Sequence, residues 1–324
     1  MIRGLSRHLL RLDSGYNYLR RFPMTRRWVI SIIIAAILIL SGLYFVSAAM
    51  WDKTLWDWLE LLVVPIVLAL VAVWFSAQER KDDRLAAEQR AQIDREIATD
   101  RLQDAALQAY YDKMTELLLN EELRNAPAGA EVISIALSRT RATLRSLDNV
   151  RKGLLVEFLH EARLIEKQNT IIQLNGADLM GADLMGANLS GANLAGANLN
   201  GANLAATELA RSKLSNADLS GADLSQADLS NAVLSSALLI GANLTGAHLP
   251  KANLINADLR DADLRGARLE DATLKGAISA QDEQLAKVKS LRGTTMPDGK
   301  VYDPAIHTRL ASLRQENGLA QFDS

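Results

Sequence analysis

Gly181-Ala182-Asp183-Leu184-Met185 is followed by Gly186-Ala187-Asn188-Leu189-Ser190 and then by Gly191-Ala192-Asn193-Leu194-Ala195. The same five-residue unit continues in both directions, and from Leu174 to Leu274 leucine occupies all 21 positions of one register. Two residues before each leucine stands alanine in 18 cases, the exceptions being Ile172, Thr207 and Ser212. The residue just before the leucine is Asn or Asp 13 times, and the residue two after it is Gly 11 times. A step of five suits neither regular element. On an α-helix it advances about 140° net, so the leucines would spiral over every face. On a straight strand it flips each successive leucine to the opposite side. Only a path that turns once per repeat sends every leucine to one interior. Gly, Asn and Asp tolerate the positive φ that such corners demand. The pattern predicts a solenoid of stacked turns.

The A-(N/D)-L-x-G unit resembles that of the pentapeptide-repeat family. The resemblance implies a right-handed, four-sided β-helix with one unit per side, hence about five coils over 171–278. A closer resemblance, to membrane-anchored bacterial members, rests on Asp104-Ala105-Ala106-Leu107-Gln108-Ala109-Tyr110, on Met114 to Leu119 and on Arg151-Lys152-Gly153 to Leu159. It implies the order two-span anchor, helical connector, rod. No activity comes with it.

The N-terminal third supports that order on its own residues. Residues 1–27 form a basic arm holding seven arginines against Asp13 alone. Trp28 to Met50 then runs without a charge, and so does Leu61 to Gln78, which contains Pro65. Each is of the length a bilayer requires, and the first is too long for a signal-peptide core. Between them lies a short loop with Asp52, Lys53, Asp57 and Glu60, and Trp51, Trp56 and Trp58 cluster there as in an aromatic belt. The expectation is a two-span hairpin over 28–78 preceding the rod. The arginines place the N-terminus and the repeats in the cytoplasm. The location implied is a bacterial inner (plasma) membrane or a thylakoid membrane.

Residues 79–170 read as a helical connector and cap. Up to about Arg124 the chain is charged and free of Gly and Pro, and Leu107, Tyr111, Met114 and Leu118 form one apolar face. Ile93 and Ile97 extend it, but Asp100 and Asp104 interrupt it. This stretch is either a solvated juxtamembrane helix or a short oligomeric stalk. Two more amphipathic helices follow, over 131–147 and after Gly153, and they are expected to cover the first coil, since an open solenoid end exposes core and strand edges. Over 279–324, Ser279 and Asp282 have capping-box spacing for a short closing helix. Pro297-Asp298-Gly299 is a turn, and residues beyond Tyr302 are expected to be mobile.

The chemistry of catalysis is not spelled out in this sequence. There is no cysteine, and His8, His160, His248 and His307 fall in four separate segments. The glycines follow no phosphate-loop spacing. No enzyme, no cofactor and no metal site is expected, and His248 should face solvent. The apolar departures from the repeat carry more: Val233, Leu238 and Ile240 stand where side chains should point out, and Met180 and Met185 do so near the other end. These five are the candidate interaction surface. Two function classes remain. One is a membrane-anchored, non-enzymatic scaffold for an unidentified protein partner or for copies of itself, with assembly or regulation of a membrane complex as a special case. The other follows the family members that mimic DNA and bind DNA gyrase. Residues 171–280 hold 11 acids against 7 bases, net −4, a weak charge for such a mimic, and nucleic acid itself is an unlikely partner.

Overall fold

The computed structural model describes residues 55–119, 123–127, 129–165 and 171–323, without the side chains of 55–64, 77 and 80–82. The basic arm 1–27 and the first expected span, 28–50, lie outside the described residues. The chain divides after Gln89 into two compact units. In order, the helices are α1 (Leu55–Leu119), α2 (Glu131–Ser146), α3 (Asn149–Glu161), α4 (Asp282–Leu285) and α5 (Thr308–Glu316), with a 3₁₀ turn at Ala320–Phe322.

Helix α1 has 65 residues and contains Pro65. It starts inside the expected Trp-rich loop and continues without interruption past Gln78, so no connector separates the second apolar run from the charged stretch. Among the described residues no helix is long and apolar enough to cross a membrane. The apolar side chains described there begin only at Pro65 and end near Ser76, about 18 Å of helix at 1.5 Å per residue, against about 30 Å of hydrocarbon. Ile93 and Ile97 are exposed.

Within the second unit the corners explain the repeat. All 21 residues at the position two after each leucine, from Gly176 to Gly276, have φ between 54° and 73°. Eleven are glycine and ten are not, among them Ala206, Arg211 and Lys251. Five of those ten are Asn or Asp (Asn216, Asn231, Asn256, Asp261 and Asp271), but the 13 Asn and Asp residues of the repeat motif itself have another place. They sit one residue before the leucine, and each of the 13 accepts a hydrogen bond from the backbone N–H two residues on, at 2.9–3.5 Å. That bond closes the turn locally. From Asp178 to Ile278 the bridging residues pair in parallel with residues twenty further on, so four repeats make one coil. Ala and Leu point inward and are almost all fully buried.

Two exceptions to the alanine rule behave differently inside. Thr207 Oγ1 donates to Leu184 O at 2.8 Å, whereas the buried Ser212 hydroxyl has no partner among the described residues.

Both ends are covered. At the start, α3 lies on the first coil: Asp183 N–H donates to Asn149 O, and Lys152 Nζ donates to Met180 O at 3.1 Å and lies 3.5 Å from Asp178. Gly153 faces this contact so closely that a Cβ there would lie 2.0 Å from Asp183 O. The helices pack through Leu107, Tyr110, Met114 and Leu117 of α1 against Ala136, Thr140 and Leu144 of α2 and Leu155 and Leu159 of α3. The buried face of α1 is therefore rotated from the one expected. Tyr110, not Tyr111, is the core residue, its hydroxyl 2.8 Å from Thr140 Oγ1, while Tyr111 and Leu118 are half-buried. Asp100 and Asp104, the interruptions, are ion-paired to Arg151 of α3.

At the far end the coil continues past Leu274 with a longer step. Ser290 pairs with Arg268 and Thr295 with Thr273, 22 residues on, because α4 replaces one side. Ser279 is not its cap; it takes a left-handed corner at φ 56°, and the helix starts after Gln281. The tail beyond Tyr302 folds back onto the closing coil. Arg314 of α5 is fully buried: it holds Asp323 through Nε at 2.6 Å and Nη2 at 2.7 Å, and its Nη1 donates to Val288 O at 2.7 Å. Asp323 in turn accepts from Leu291 N–H at 2.8 Å.

Three substitutions test this description by urea denaturation. Ser212→Ala removes an unpartnered buried hydroxyl and should stabilise by about 1 kcal/mol. Gly153→Ala forces α3 off the first coil and should destabilise by about 1–3 kcal/mol. Asp323→Ala leaves Arg314 buried without its carboxylate and should cost about 3–5 kcal/mol.

Candidate interaction surface

What the rod offers a partner is set by three outward positions per repeat, the residue before each leucine, the residue after it and the corner residue that follows. Stacked at about 4.8 Å per coil, these form columns. One column holds Asp178, Asn198, Asp218, Leu238, Asp258 and Ile278; the next holds Asp183, Asn203, Asp223, Asn243 and Asp263. In the second, Asn203 donates to Asp183 and Asn243 to Asp223, each at 2.9 Å, so asparagine separates the carboxylates and ties neighbouring coils.

The five apolar departures do not form one patch. Leu238 is exposed, with Ile240 half-buried just after it; Val233 is half-buried on the preceding side, across the corner at Ser236. Met180 and Met185 are exposed, but on the first coil, about three layers from Ile240. The backbone carbonyl of Met180 is already used by Lys152. A residue missing from the expected set belongs with Leu238. Ile278 is 51% exposed in the same column, two coils on. It closes the repeat stretch 171–278, and the twenty-residue pairing puts it in the column of Leu238.

Between these two apolar side chains sits Asp258, only 6% exposed. Arg260 covers it, with Nε 3.0 Å from both carboxylate oxygens and Nη2 2.7 Å from Oδ2. On the adjacent side Arg265 clasps Asp263 in the same way. The guanidinium hydrogen bonds hold both carboxyls below the usual aspartate range. The result is a strip in which aliphatic side chains flank a neutralised ion pair. His248 faces solvent. Among the described residues no group of three acidic or histidine side chains converges as a metal set would.

A family model described as pentapeptide repeats matches residues 173–201, 197–235 and 237–276, in eight copies. This is a pentapeptide-repeat protein. Among curated proteins, none matches the chain. Similar solved structures include a pentapeptide repeat protein, Rfr23, from the cyanobacterium Cyanothece 51142, at 38% identity over 28% of this chain and 54% of the other, TM-score 0.22. The chain thus spans about half the length of that relative. A pentapeptide repeat protein from the Arabidopsis thaliana thylakoid lumen is 29% identical over 43% of this chain and 88% of the other, TM-score 0.26. QnrB1, a plasmid-mediated fluoroquinolone resistance protein, is 18% identical over 46% and 88%, TM-score 0.20. At these TM-scores none of the three carries an argument about what this chain does.

The depressed carboxyls give the pentapeptide-repeat rod a defined acid response. A group whose folded pKa lies below its unfolded value stabilises the fold above the unfolded value and loses that contribution as pH falls through the folded one. For Asp258 and Asp263 the loss begins below about pH 4. Urea midpoints measured from pH 7 to pH 2 should therefore drop below pH 4. Asp258→Asn with Asp263→Asn, which keeps an acceptor for the turn, should flatten that drop.

Proposed function

We propose that this pentapeptide-repeat protein is a membrane-anchored, non-enzymatic interaction module whose β-helix presents a fixed surface to a protein partner. The observation that carries the anchor is the helix from Ile66 to Trp74. Ile66, Val67, Leu68, Leu70, Val71, Val73 and Trp74 are 40–64% exposed, and consecutive positions 100° apart cover every face. A helix apolar all round requires a surrounding apolar medium. Continued through the uncharged sequence 61–78 it reaches about 27 Å, close to the hydrocarbon thickness. The uncharged run 28–50 supplies the second pass, and the flanking arginines set the N-terminus and the rod on the cytoplasmic side.

The strip formed by Leu238, Ile240 and Ile278 around the Asp258–Arg260 pair is the partner surface on this reading. It is local, on an otherwise polar rod, and its only charges are mutually neutralised, which lowers the desolvation cost of covering them. A DNA mimic would need columns of unpaired carboxylates, and here Arg260 and Arg265 occupy two of them. Nothing on the rod favours the gyrase reading over the scaffold.

Cell fractionation tests the anchor. The full chain should stay with membranes through an alkaline carbonate wash, and a chain lacking residues 1–78 should not; recovery of the full chain in the soluble fraction overturns the reading. Crosslinking in membranes tests the surface. Leu238→Glu with Ile240→Glu should remove a crosslinked species that the wild type forms, and an unchanged pattern would exclude the strip.

A further inference from the structure

The strip around Leu238 has a pattern that singles out one kind of partner. On this side of the rod the residues before the leucines, Asp218, Leu238, Asp258 and Ile278, form one column. The residues after the leucines, Ser220, Ile240 and Arg260, form a second column beside it. Residues two apart on an extended segment point the same way, so each layer presents one side chain from each column. The layers are Asp218 with Ser220, Leu238 with Ile240, and Asp258 with Arg260. Among the repeats from Gly176 to Lys275, Leu238 with Ile240 is the only layer that is apolar at both positions.

Each of these layers complements itself when its two positions are exchanged. Asp218 is an acceptor, and the Ser220 hydroxyl beside it makes no hydrogen bond among the described residues. Leu238 and Ile240 are both aliphatic. Asp258 is paired with Arg260, which uses Nε and Nη2 for it and leaves Nη1 without a hydrogen bond among the described residues. Exchanging two adjacent columns is what a two-fold axis running along the rod does to a facing copy. That axis sets Leu238 against the second copy's Ile240, Ser220 against its Asp218 and Arg260 against its Asp258. A two-fold axis across the rod would set each column against itself instead. Asp258 would then face Asp258 and Arg260 would face Arg260, like charge on like.

We propose that this strip binds a second copy of the chain, the two rods lying side by side and parallel about a two-fold axis along their length. The inference rests on the assignment of the strip as the partner surface. Ile278 ends the face, because the chain turns a left-handed corner at Ser279 with φ 56°. At the other end α3 already engages the first coil through Lys152 and Met180 O. Only the layers between are left, on one narrow side of a four-sided rod. The contact is therefore smaller than the roughly 1,200 Å² of a stable interface, and association in solution is weak. Parallel rods keep both first coils at the same end, as suits two chains anchored in one membrane, where confinement raises their effective concentration.

The chain has no cysteine, so single-cysteine variants report the contact directly. Full-length Leu238→Cys chains are mixed in mild detergent with longer-tagged Ile240→Cys chains and oxidised with copper phenanthroline. Their mixed disulfide should form at least about tenfold faster than one between Leu238→Cys and Ile278→Cys chains, since the bond requires adjacent Cβ atoms. A charge exchange tests the same register without thiols. Leu238→Glu and Ile240→Lys should each weaken self-association about tenfold in sedimentation equilibrium. An equimolar mixture of the two should recover it, because Glu then faces Lys while Ile faces Leu, and recovery also shows that both variants fold. The proposal is overturned if Leu238→Cys joins Ile278→Cys faster, which marks antiparallel copies, or if the mixture associates no better than either variant alone. If the purified chain forms no dimer while the crosslink in membranes still depends on Leu238 and Ile240, a second copy is excluded and the strip serves a different protein. If neither depends on them, both assignments fall.

Discussion

A core one leucine deep on each side forces the chain to turn every fifth residue, and each turn requires a left-handed backbone. For residues other than glycine that conformation costs about 1–2 kcal/mol, comparable to the roughly 1.5–3 kcal/mol from burying the leucine beside it. Nearly half the corners are nonetheless not glycine. They persist because no corner stands alone. Nine of these ten donate their N–H to the coil beyond, an Asn or Asp closes the turn before five of them, and the leucine beside each is buried. The fold is stable as a stack, and an isolated coil would not be.

Stacking leaves two open ends, and the chain treats them differently. At the first coil a helix is pressed against the edge, and its approach depends on Gly153 having no side chain and on Lys152 reaching a carbonyl and a carboxylate at once. At the last coil the chain itself turns under the stack, two residues longer than the regular step, and is locked by one buried guanidinium. Arg314 bonds the tail's Asp323 and the carbonyl of Val288, so the tail and the closing coil are held by the same group. The two extra residues that allow this closure also open the ladder at Leu264. The capping solution and the unpaired edge have one cause.

How much of this was legible in the sequence depended on whether a feature repeats. The leucine register specifies the coil because twenty-one independent positions agree, and the Asn and Asp positions follow because their bonds are local. Features fixed by tertiary placement were not legible. Tyr110 and Tyr111 are adjacent, and either can lead an amphipathic face; the positions of α2 and α3 decide that Tyr110 is buried. Asp100 and Asp104 looked like breaks in an apolar stripe until Arg151 was brought to them from 47 residues and more away. The tail after Tyr302 is polar in composition. What composition cannot show is that a single Arg–Asp pair, each partner satisfied by backbone groups, makes burial of charge affordable there. Ile278 was hidden for a simpler reason. It shares a column with Leu238, forty residues earlier and two coils away, and only that column places them on one face.

The residues that build the rod are therefore poor guides to its use. A side chain required by the repeat is the same on every coil and cannot distinguish one partner from another. Discrimination has to come from positions where the repeat is indifferent or broken, and in this chain both kinds lie toward the C-terminal end. Leu238, Ile240 and Ile278 stand at outward positions that the repeat leaves free, and the ladder is broken at Leu264. The first coil, by contrast, is engaged by α3, and its two exposed methionines flank a contact already made within the chain.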